Sequence, residues 1–475
     1  MAPTSVAAQR ASPAHHSGPQ EKLLRSCNGT TSESLLEDLS TKIQENACRV
    51  SSFLRCNGHS LPSFNVDAPA TTLPASAPTE IHAARQALME AALQTFQLAA
   101  GPSEYLPHLA VGYQYVTCLQ WLTHFGIFPL VPLTGSISYS VVAAAANVSE
   151  KQLKTVARMV MTNHVFCEPE PDTIAHTATS ALLVTNPMFH NWASFICETT
   201  LPMASKLVEA SERWPGSVET NQTAYNVTFE TGLPFFDHLA TLPDLTEKFA
   251  CYMKNVQNSQ GTAIHHLLRG YDWAALGKAT VVDVSTFHHF RSLIPYDKRT
   301  AVVGGSTGAA SIALARAFPD LYFIVQDLPD NVANGEAALA EQPSSIKPRI
   351  SFQAHDFFED QPHPNADVYL LRMILHDWPQ REATAILKRL VPALKKSSRI
   401  IIMDTVLPQP GSIPSAEERL LRARDMTMLQ AFNSQERDLK DWTELLKGVD
   451  ERLSLVNVVQ PVGSVMSAME VAFEA

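Results

Sequence analysis

The chain has 475 residues, 45% hydrophobic and 17% charged, the composition of a soluble globular protein but too long for one ordinary domain. A formal net charge of -11 argues against a nucleic-acid partner, which wants a basic surface, and no polybasic block offers itself to an anionic membrane. None of the seven cysteines lies in a CxxC pair or at zinc spacing from a histidine, so reduced thiols in the cytoplasm and no bound metal are expected.

Residues 1–31 carry few apolar side chains and no signal-peptide core, and read as a disordered tail. From Ser32 to Arg55, Leu36, Leu39, Ile43, Ala47, Val50 and Leu54 recur at helical spacing, an amphipathic helix that needs a partner surface. A linker punctuated by Pro62, Pro69, Pro74 and Pro78 completes a segment of residues 32–78. A second helix is expected from Ile81 to Ala100, stopped by Gly101-Pro102. The apolar stretch Leu109–Leu133 is interrupted by Gln114, Gln120, His124, Pro129 and Pro132, which suits a buried helix and a turn better than a membrane span.

Helices over Ser138–Asn147 and Lys151–Asn163, a cap at Val148-Ser149-Glu150, and an alternating pair His164–Phe166 and Ile174–His176 follow the order of a winged helix with a small hairpin. Its second helix offers only Lys151, Lys154 and Arg158, so a platform for dimerisation is favoured over a DNA reader. Residues 79–275 are taken as this helical, substrate-capping region. From residue 276 the texture changes. Strand-like runs at Tyr322–Val325, Ile350–Gln353, Val368–Leu371 and Ile400–Met403 alternate with helical segments such as Ala309–Ala317 and Arg381–Leu394, and Leu453–Val459 with Ala468–Phe473 suggests a terminal hairpin. Residues 276–475 are therefore an α/β domain of doubly wound type.

In that domain Gly304-Gly305-Ser306-Thr307-Gly308 lies between the short run Ala301–Val303 and a helix, where glycines let a ligand approach the backbone. The next strand ends at Asp327, placed to accept hydrogen bonds from two ribose hydroxyls. After the third strand, Asp356 and Phe357 offer an adenine a polar edge contact and a stacking face. A dinucleotide dehydrogenase shares the glycine turn and the ribose acid.

Asp327-Leu328-Pro329, Asp356-Phe357 and Leu375-His376-Asp377-Trp378, in that order, resemble the caffeic-acid-type O-methyltransferases, especially the fungal members that modify polyketides. The resemblance runs from about Ile81 to the C-terminus. It implies a class I methyltransferase (Rossmann-like) catalytic domain behind an α-helical winged-helix dimerisation domain, S-adenosyl-L-methionine as donor, a homodimer exchanging N-terminal helices, a small phenolic acceptor and no metal. It makes His376 the base, oriented by Asp404 at the end of the fifth strand and by Glu436 of a downstream Glu-Arg pair. The family often has Glu where Asp404 stands, so the shorter acid is expected to act less directly, through water, with Glu436 the main orienting group. Arg372 matches a donor-pocket position, or is a surface ion pair. Met426, Met428 and Phe432 are candidate pocket walls or simply core residues of one helix.

One feature departs from the family pattern. Val281-Val282-Asp283-Val284 has the look of the strand and acid that precede the glycine run, yet residues 285–303 intervene. Deleting them gives an unbroken motif, so they read as an insertion. Two other readings stay open: a methyltransferase-like protein with impaired chemistry, and a winged-helix regulator.

Overall fold

The computed structural model describes residues 34–74, 76–284 and 308–474. The expected tail, the segment 285–303, the run Ala301–Val303, and both Gly304 and Gly305 lie outside the described residues.

The first helix, α1 (Leu35–Cys56), starts where the Glu37 carboxylate accepts the Ser34 N–H at 3.0 Å, and buries Leu39, Val50 and Leu54 on one face. Val50 and Leu54 pack with Ala84 of α2 (Thr79–Ala110), and Leu73 and Ala77 of the Pro-rich segment close the same small core. Gly101, at φ 68°, ψ 167°, breaks α2 into two helices where the Gly-Pro pair was expected to stop it. After the break Leu106 and Leu109 are exposed, as is Tyr113 at the start of α3 (Gly112–His124). The apolar stretch is thus a helix with one unpartnered face. Among the described residues no helix is long and apolar enough to cross a membrane.

The two helices expected here appear as α4 (Tyr139–Ala146) and α5 (Glu150–Met161), flanked by the short strands β1 (Ile137–Ser138) and β2 (Thr173–Ile174). Ser149 caps α5, its hydroxyl accepting the Gln152 N–H. The expected hairpin of residues 164–166 with 174–176 does not form. One bridge, Cys167 to Ala175, stands there, and β2 pairs instead with β1, Ile137 opposite Ile174. The backbone explains this, because His164, Phe166 and Asp172 all have positive φ and cannot continue an extended strand.

Helix α6 (Pro187–Phe195), prolonged by a π turn over Ile196–Thr200, and α7 (Pro243–Asn258) lead into the sheet domain. Seven strands lie in the order β10-β11-β7-β6-β3-β4-β5. They are β3 (Ala279–Val284), β4 (Leu321–Asp327), β5 (Ile350–Ala354), β6 (Val368–Arg372), β7 (Arg399–Asp404), β10 (Leu453–Val459) and β11 (Ser467–Phe473). A two-stranded pair of β8 (Val406–Leu407) and β9 (Arg437–Asp438) stands apart. Among the five parallel strands the middle position belongs to β3, with β4 on one side and β6 on the other, and Val281 opposite Phe323 and Val368. Val281-Val282-Asp283-Val284, expected as a strand, forms the end of β3. Only the terminal hairpin is antiparallel, β11 pairing with both β7 and β10.

Both faces are covered, which suits the near-continuous apolar runs of β3, β6 and β7. On one face Val282, Tyr369, Leu371 and Ile402 pack under α10 (Gln380–Leu390) and α12 (Leu439–Val449). On the other, Val281, Phe323, Val325 and Leu370 pack under α8 (Ala309–Ala317). The remaining helices of the domain are α9 (Pro329–Ala340), which also lies against the sheet, and α11 (Ser415–Phe432), which crosses to the helical region. All parallel strands point their carboxyl ends to one edge, where ligands of doubly wound sheets bind.

Candidate active site

At that edge the strands place acids side by side. Asp283 on β3 is fully buried and accepts a 2.6 Å hydrogen bond from the Ser311 hydroxyl of α8. Asp327, also fully buried, closes β4, and its Oδ1 accepts from the Leu328 N–H at 2.7 Å and from Asn331 Nδ2 at 2.8 Å. These bonds lock the carboxylate in one orientation at the start of α9. Asp356, partly buried after β5, accepts the Phe358 N–H at 2.9 Å. Gly308 opens α8 at φ +69°, and a Cβ there would lie 2.8 Å from Phe352 Cζ. Only glycine suits both conditions. Asp283 and Asp327 thus stand at the carboxyl ends of adjacent strands, and the glycine that opens α8 packs against Phe352 beside them.

Phe357 lies among the core residues, 2% exposed, edge-on to Phe358 and Trp378 with ring centres 5.1 and 5.9 Å away. Arg372 is not a surface ion pair. At the end of β6 it donates from Nη2 to the Thr262 carbonyl at 2.5 Å, and its Nε is enclosed with no hydrogen-bond partner. Burial pulls its pKa down, against the charges of Asp283 on one flanking strand and Asp404 on the other.

His376 sits in a single 3-10 turn, Leu375–Asp377, directly after β6. Its Nδ1 lies 3.2 Å from Asp404 Oδ1 and 3.2 Å from Glu436 Oε1. Asp404 comes from the end of β7, Glu436 from the residue before β9. The shorter acid is thus not set back, and both carboxylates meet the ring directly. On the other side, Nε2 is 3.5 Å from Asp377 Oδ1. With Nδ1 facing two acids, the neutral ring would carry its proton there, leaving Nε2 as the accepting atom.

Three acids around one imidazole reset its chemistry. Burial works to lower the His376 pKa, but the charges of Asp404, Asp377 and Glu436 outweigh it and push it up to about 10. Burial, and repulsion by Asp404 and Glu436, raise Asp377 to about 7 despite its attraction to His376. Of the orienting pair, burial and the neighbouring Glu436 push Asp404 up, whereas contact with His376 holds Glu436 down in spite of its burial.

Two further residues hold this turn: Arg437 of the Glu-Arg pair, whose own role the sequence does not reveal, and Ser434, which carries no signal in the sequence. Arg437, 1% exposed, donates from Nη1 to the Leu375 carbonyl at 2.7 Å and from Nη2 to the Trp378 carbonyl at 2.8 Å, and its guanidinium lies 5.3 Å from the Trp442 ring centre. The Ser434 hydroxyl donates to the His376 carbonyl at 2.5 Å. Both act on main-chain carbonyls, so no side-chain pattern announces these contacts. The Glu-Arg pair thus has two jobs: the acid faces the imidazole and the base grips the turn that carries it.

The helical region supplies an aromatic wall beyond this turn. Tyr252 of α7 stacks on Phe195 at 4.5 Å, and Phe236 stacks on Phe432 of α11 at 5.3 Å. Met428 packs against the same cluster, while Met426 is exposed.

A family model described as an O-methyltransferase domain matches residues 216–450. The O-methyltransferase aoiF of Aspergillus oryzae is 47% identical, covering 93% of this chain and 100% of that protein. The O-methyltransferase VdtC of Byssochlamys spectabilis is 46% identical, covering 92% and 97%. Among solved structures, that of OxaC superposes with a TM-score of 0.68 at 21% identity over 92% of this chain and 100% of that one. OxaC has also been crystallised with SAH and oxaline.

Proposed function

Because this chain belongs to the O-methyltransferase family and is an enzyme of that class, we propose that it carries the methyl group of S-adenosylmethionine to a phenolic hydroxyl of a small aromatic secondary metabolite, with His376 as general base. The donor, when bound, supplies a methyl already activated by a sulfonium, so alignment and a more nucleophilic oxygen are what the protein must add. Asp327 and Asp356 would hold its ribose and adenine, Gly308 would let it approach, and Arg372 would stand at its amino-acid end.

The environment of His376 carries the phenolic reading. An ordinary imidazole, with pKa about 6.5, takes a proton from a phenol of pKa about 10 only at a cost of roughly 5 kcal/mol. With its pKa pushed up to about 10, the neutral form of His376 is matched to a phenol, at the expense of being the minor form at neutral pH. Nε2 takes the phenol proton as the oxygen attacks, and Asp404 and Glu436 stabilise the imidazolium so formed. An aliphatic alcohol is far too weak an acid for the same match.

Exposed Phe96, Leu106, Leu109 and Tyr113 on α2 and α3 support a homodimer through the N-terminal helices, and residues 79–275 would form its platform. A DNA-reading role gains nothing from α5, whose Lys154 pairs with Glu150 at 2.8 Å and with Asp172 at 2.7 Å, and whose Arg158 pairs with Glu168 at 2.8 Å.

The decisive experiment is transfer from labelled S-adenosylmethionine to a panel of phenols by the native protein and His376→Ala. The variant should keep its donor affinity and lose about 10²–10⁴-fold in single-turnover rate. Transfer at the native rate would remove His376 as the base. Asp327→Ala should weaken donor binding by calorimetry at least about tenfold, one lost charge-assisted hydrogen bond.

A further inference from the structure

Helix α11 turns one face toward the aromatic wall and the base. Leu421 and Phe432 on that face are buried, and Met428 packs against the wall. Asp425 lies between them, its Oδ1 accepting the Glu436 N–H at 2.9 Å. Spacings of three and four residues place Arg424 on this same inward stripe, between Leu421 and Met428.

The other arginines nearby are already engaged. Arg422 holds Glu418 and the Pro408 carbonyl, Arg437 holds two carbonyls of the histidine turn, and Arg372 holds the Thr262 carbonyl. Arg424 is partly buried, and among the described residues no hydrogen bond or ion pair engages its guanidinium. Its charge nonetheless reaches two parts of the site. It favours ionisation of Tyr252, where burial and Asp377 oppose it, and it adds to His376 in holding Glu436 down against burial. On α11 the side chain shares its face with Met428, which packs in the same cluster as the Tyr252–Phe195 stack, and with Asp425, which accepts the Glu436 N–H, so it lies near both the wall and the base. A planar fork of donors beside an aromatic wall suits a carboxylate held bidentately better than any neutral group.

We propose that Arg424 is a specificity-determining residue that pairs with a carboxylate on the acceptor, so that the preferred substrates are phenolic aromatic acids rather than neutral phenols. This rests on the reading of the His376 side as the acceptor site. The ring would lie along Tyr252 and Phe195, with the hydroxyl at His376 Nε2 and the carboxylate turned toward α11. Asp377, Asp404 and Glu436 would repel an acid placed at the base, so the carboxylate would turn toward α11, where Arg424 supplies the counter-charge.

The test uses the full chain saturated with S-adenosylhomocysteine, and calorimetric binding of gentisate and its methyl ester, which differ in the carboxylate charge. The native protein should bind the acid at least about tenfold tighter than the ester, and Arg424→Gln should abolish that ratio by weakening only the acid. Arg424→Lys, which keeps the charge but not the fork, should retain part of it. Equal weakening of both probes by Arg424→Gln, an unchanged ratio, or no detectable acid binding to the native protein would each overturn the proposal. An unchanged ratio with altered pH dependence would mean that Arg424 only balances Glu436. The broader reading fails separately: if His376→Ala still methylates phenols at the native rate, the acceptor site lies elsewhere, whatever the probes do.

Discussion

The charge arrangement at His376 makes one prediction sharp, because strength and occupancy of the base oppose each other. With a pKa of about 10 the ring is mostly imidazolium at neutral pH, and only the neutral form can accept a proton. Each pH unit below about 10 cuts that form about tenfold, so the single-turnover rate of the native enzyme should climb steeply from about pH 7 to about pH 9. Glu436→Gln removes one carboxylate 3.2 Å from Nδ1. At about 4 Å and an effective dielectric of about 20, such a pair contributes about 4 kcal/mol, equivalent to about 3 pKa units. The sign is fixed, since losing a negative neighbour favours the neutral ring and moves the rising limb to lower pH. Asp404→Asn, with the same 3.2 Å contact, should move it the same way. The plateau should fall in both variants, because a weaker base takes the proton less readily. The assay is rapid-quench methyl transfer across pH with two phenols of different acidity; a limb owned by His376 stays put when the phenol is changed. If the limb does not move in either variant, or moves upward, the carboxylates do not set the base.

Asp377, raised to about 7 chiefly by burial, is an acid whose folded-state pKa exceeds its unfolded one, so its contribution to stability is present at low pH and lost as pH rises through about 7. Asp377→Asn should therefore raise the melting temperature at about pH 8, with the gain shrinking toward about pH 4. Arg372→Met removes a positive charge felt by Asp404 and Asp283, and should shift the rate limb upward, opposite to Glu436→Gln, while weakening donor binding in calorimetry. Gly335 lies in α9, where an alanine normally gains about 1 kcal/mol, but a Cβ there would stand 2.1 Å from Phe352 Cε1. Gly335→Ala should lower the melting temperature, and Phe352→Leu in the same chain should recover part of the loss. Deleting residues 285–303 joins Val284 to Gly304 and should raise donor affinity; tighter binding by the full-length chain would make the segment part of the site.

The order of strands and helices was legible because the parallel sheet is covered on both faces, so that β3, β4, β6 and β7 stand out as apolar runs. Asp327 and His376 were legible for a related reason: strand ends in such a sheet converge on one edge, and a residue's place in sequence gives its place there. What was not legible depends on contacts between distant segments. Arg437, marked in the sequence only as the neighbour of Glu436, meets the Leu375 carbonyl across 62 positions, and Ser434 meets that of His376 across 58, a main-chain contact that leaves no trace in residue type. The hairpin expected after α5 failed because alternation was read where three residues adopt positive φ. Asp404 was expected to fall short of the ring by one methylene, but β7 ends close enough that the shorter side chain reaches Nδ1 unaided.

That last point bears on why the chain tolerates so costly an arrangement. Three buried or nearly buried carboxylates around one imidazole repel one another, and Asp404 keeps one oxygen, Oδ2, enclosed without a hydrogen bond. Such a group costs about 1–3 kcal/mol or more that a neutral amide or an apolar side chain would not. Orienting the ring needs only Glu436, which takes the hydrogen bond at Nδ1, while Asp404 stands at the same 3.2 Å as a charge contact. The second adds charge rather than direction, and charge is what lifts the imidazole to the acidity of a phenol. The histidine turn is accordingly anchored from outside the charged cluster, by Arg437 and Ser434 on its carbonyls, so that repulsion among the acids does not displace the base they strengthen. Arg437 also lowers the pKa of Asp404 by its charge, so substitutions at Glu436 and at Arg437 should differ in sign: the first moves the rate limb to lower pH, the second moves it upward and lowers the rate by loosening the turn.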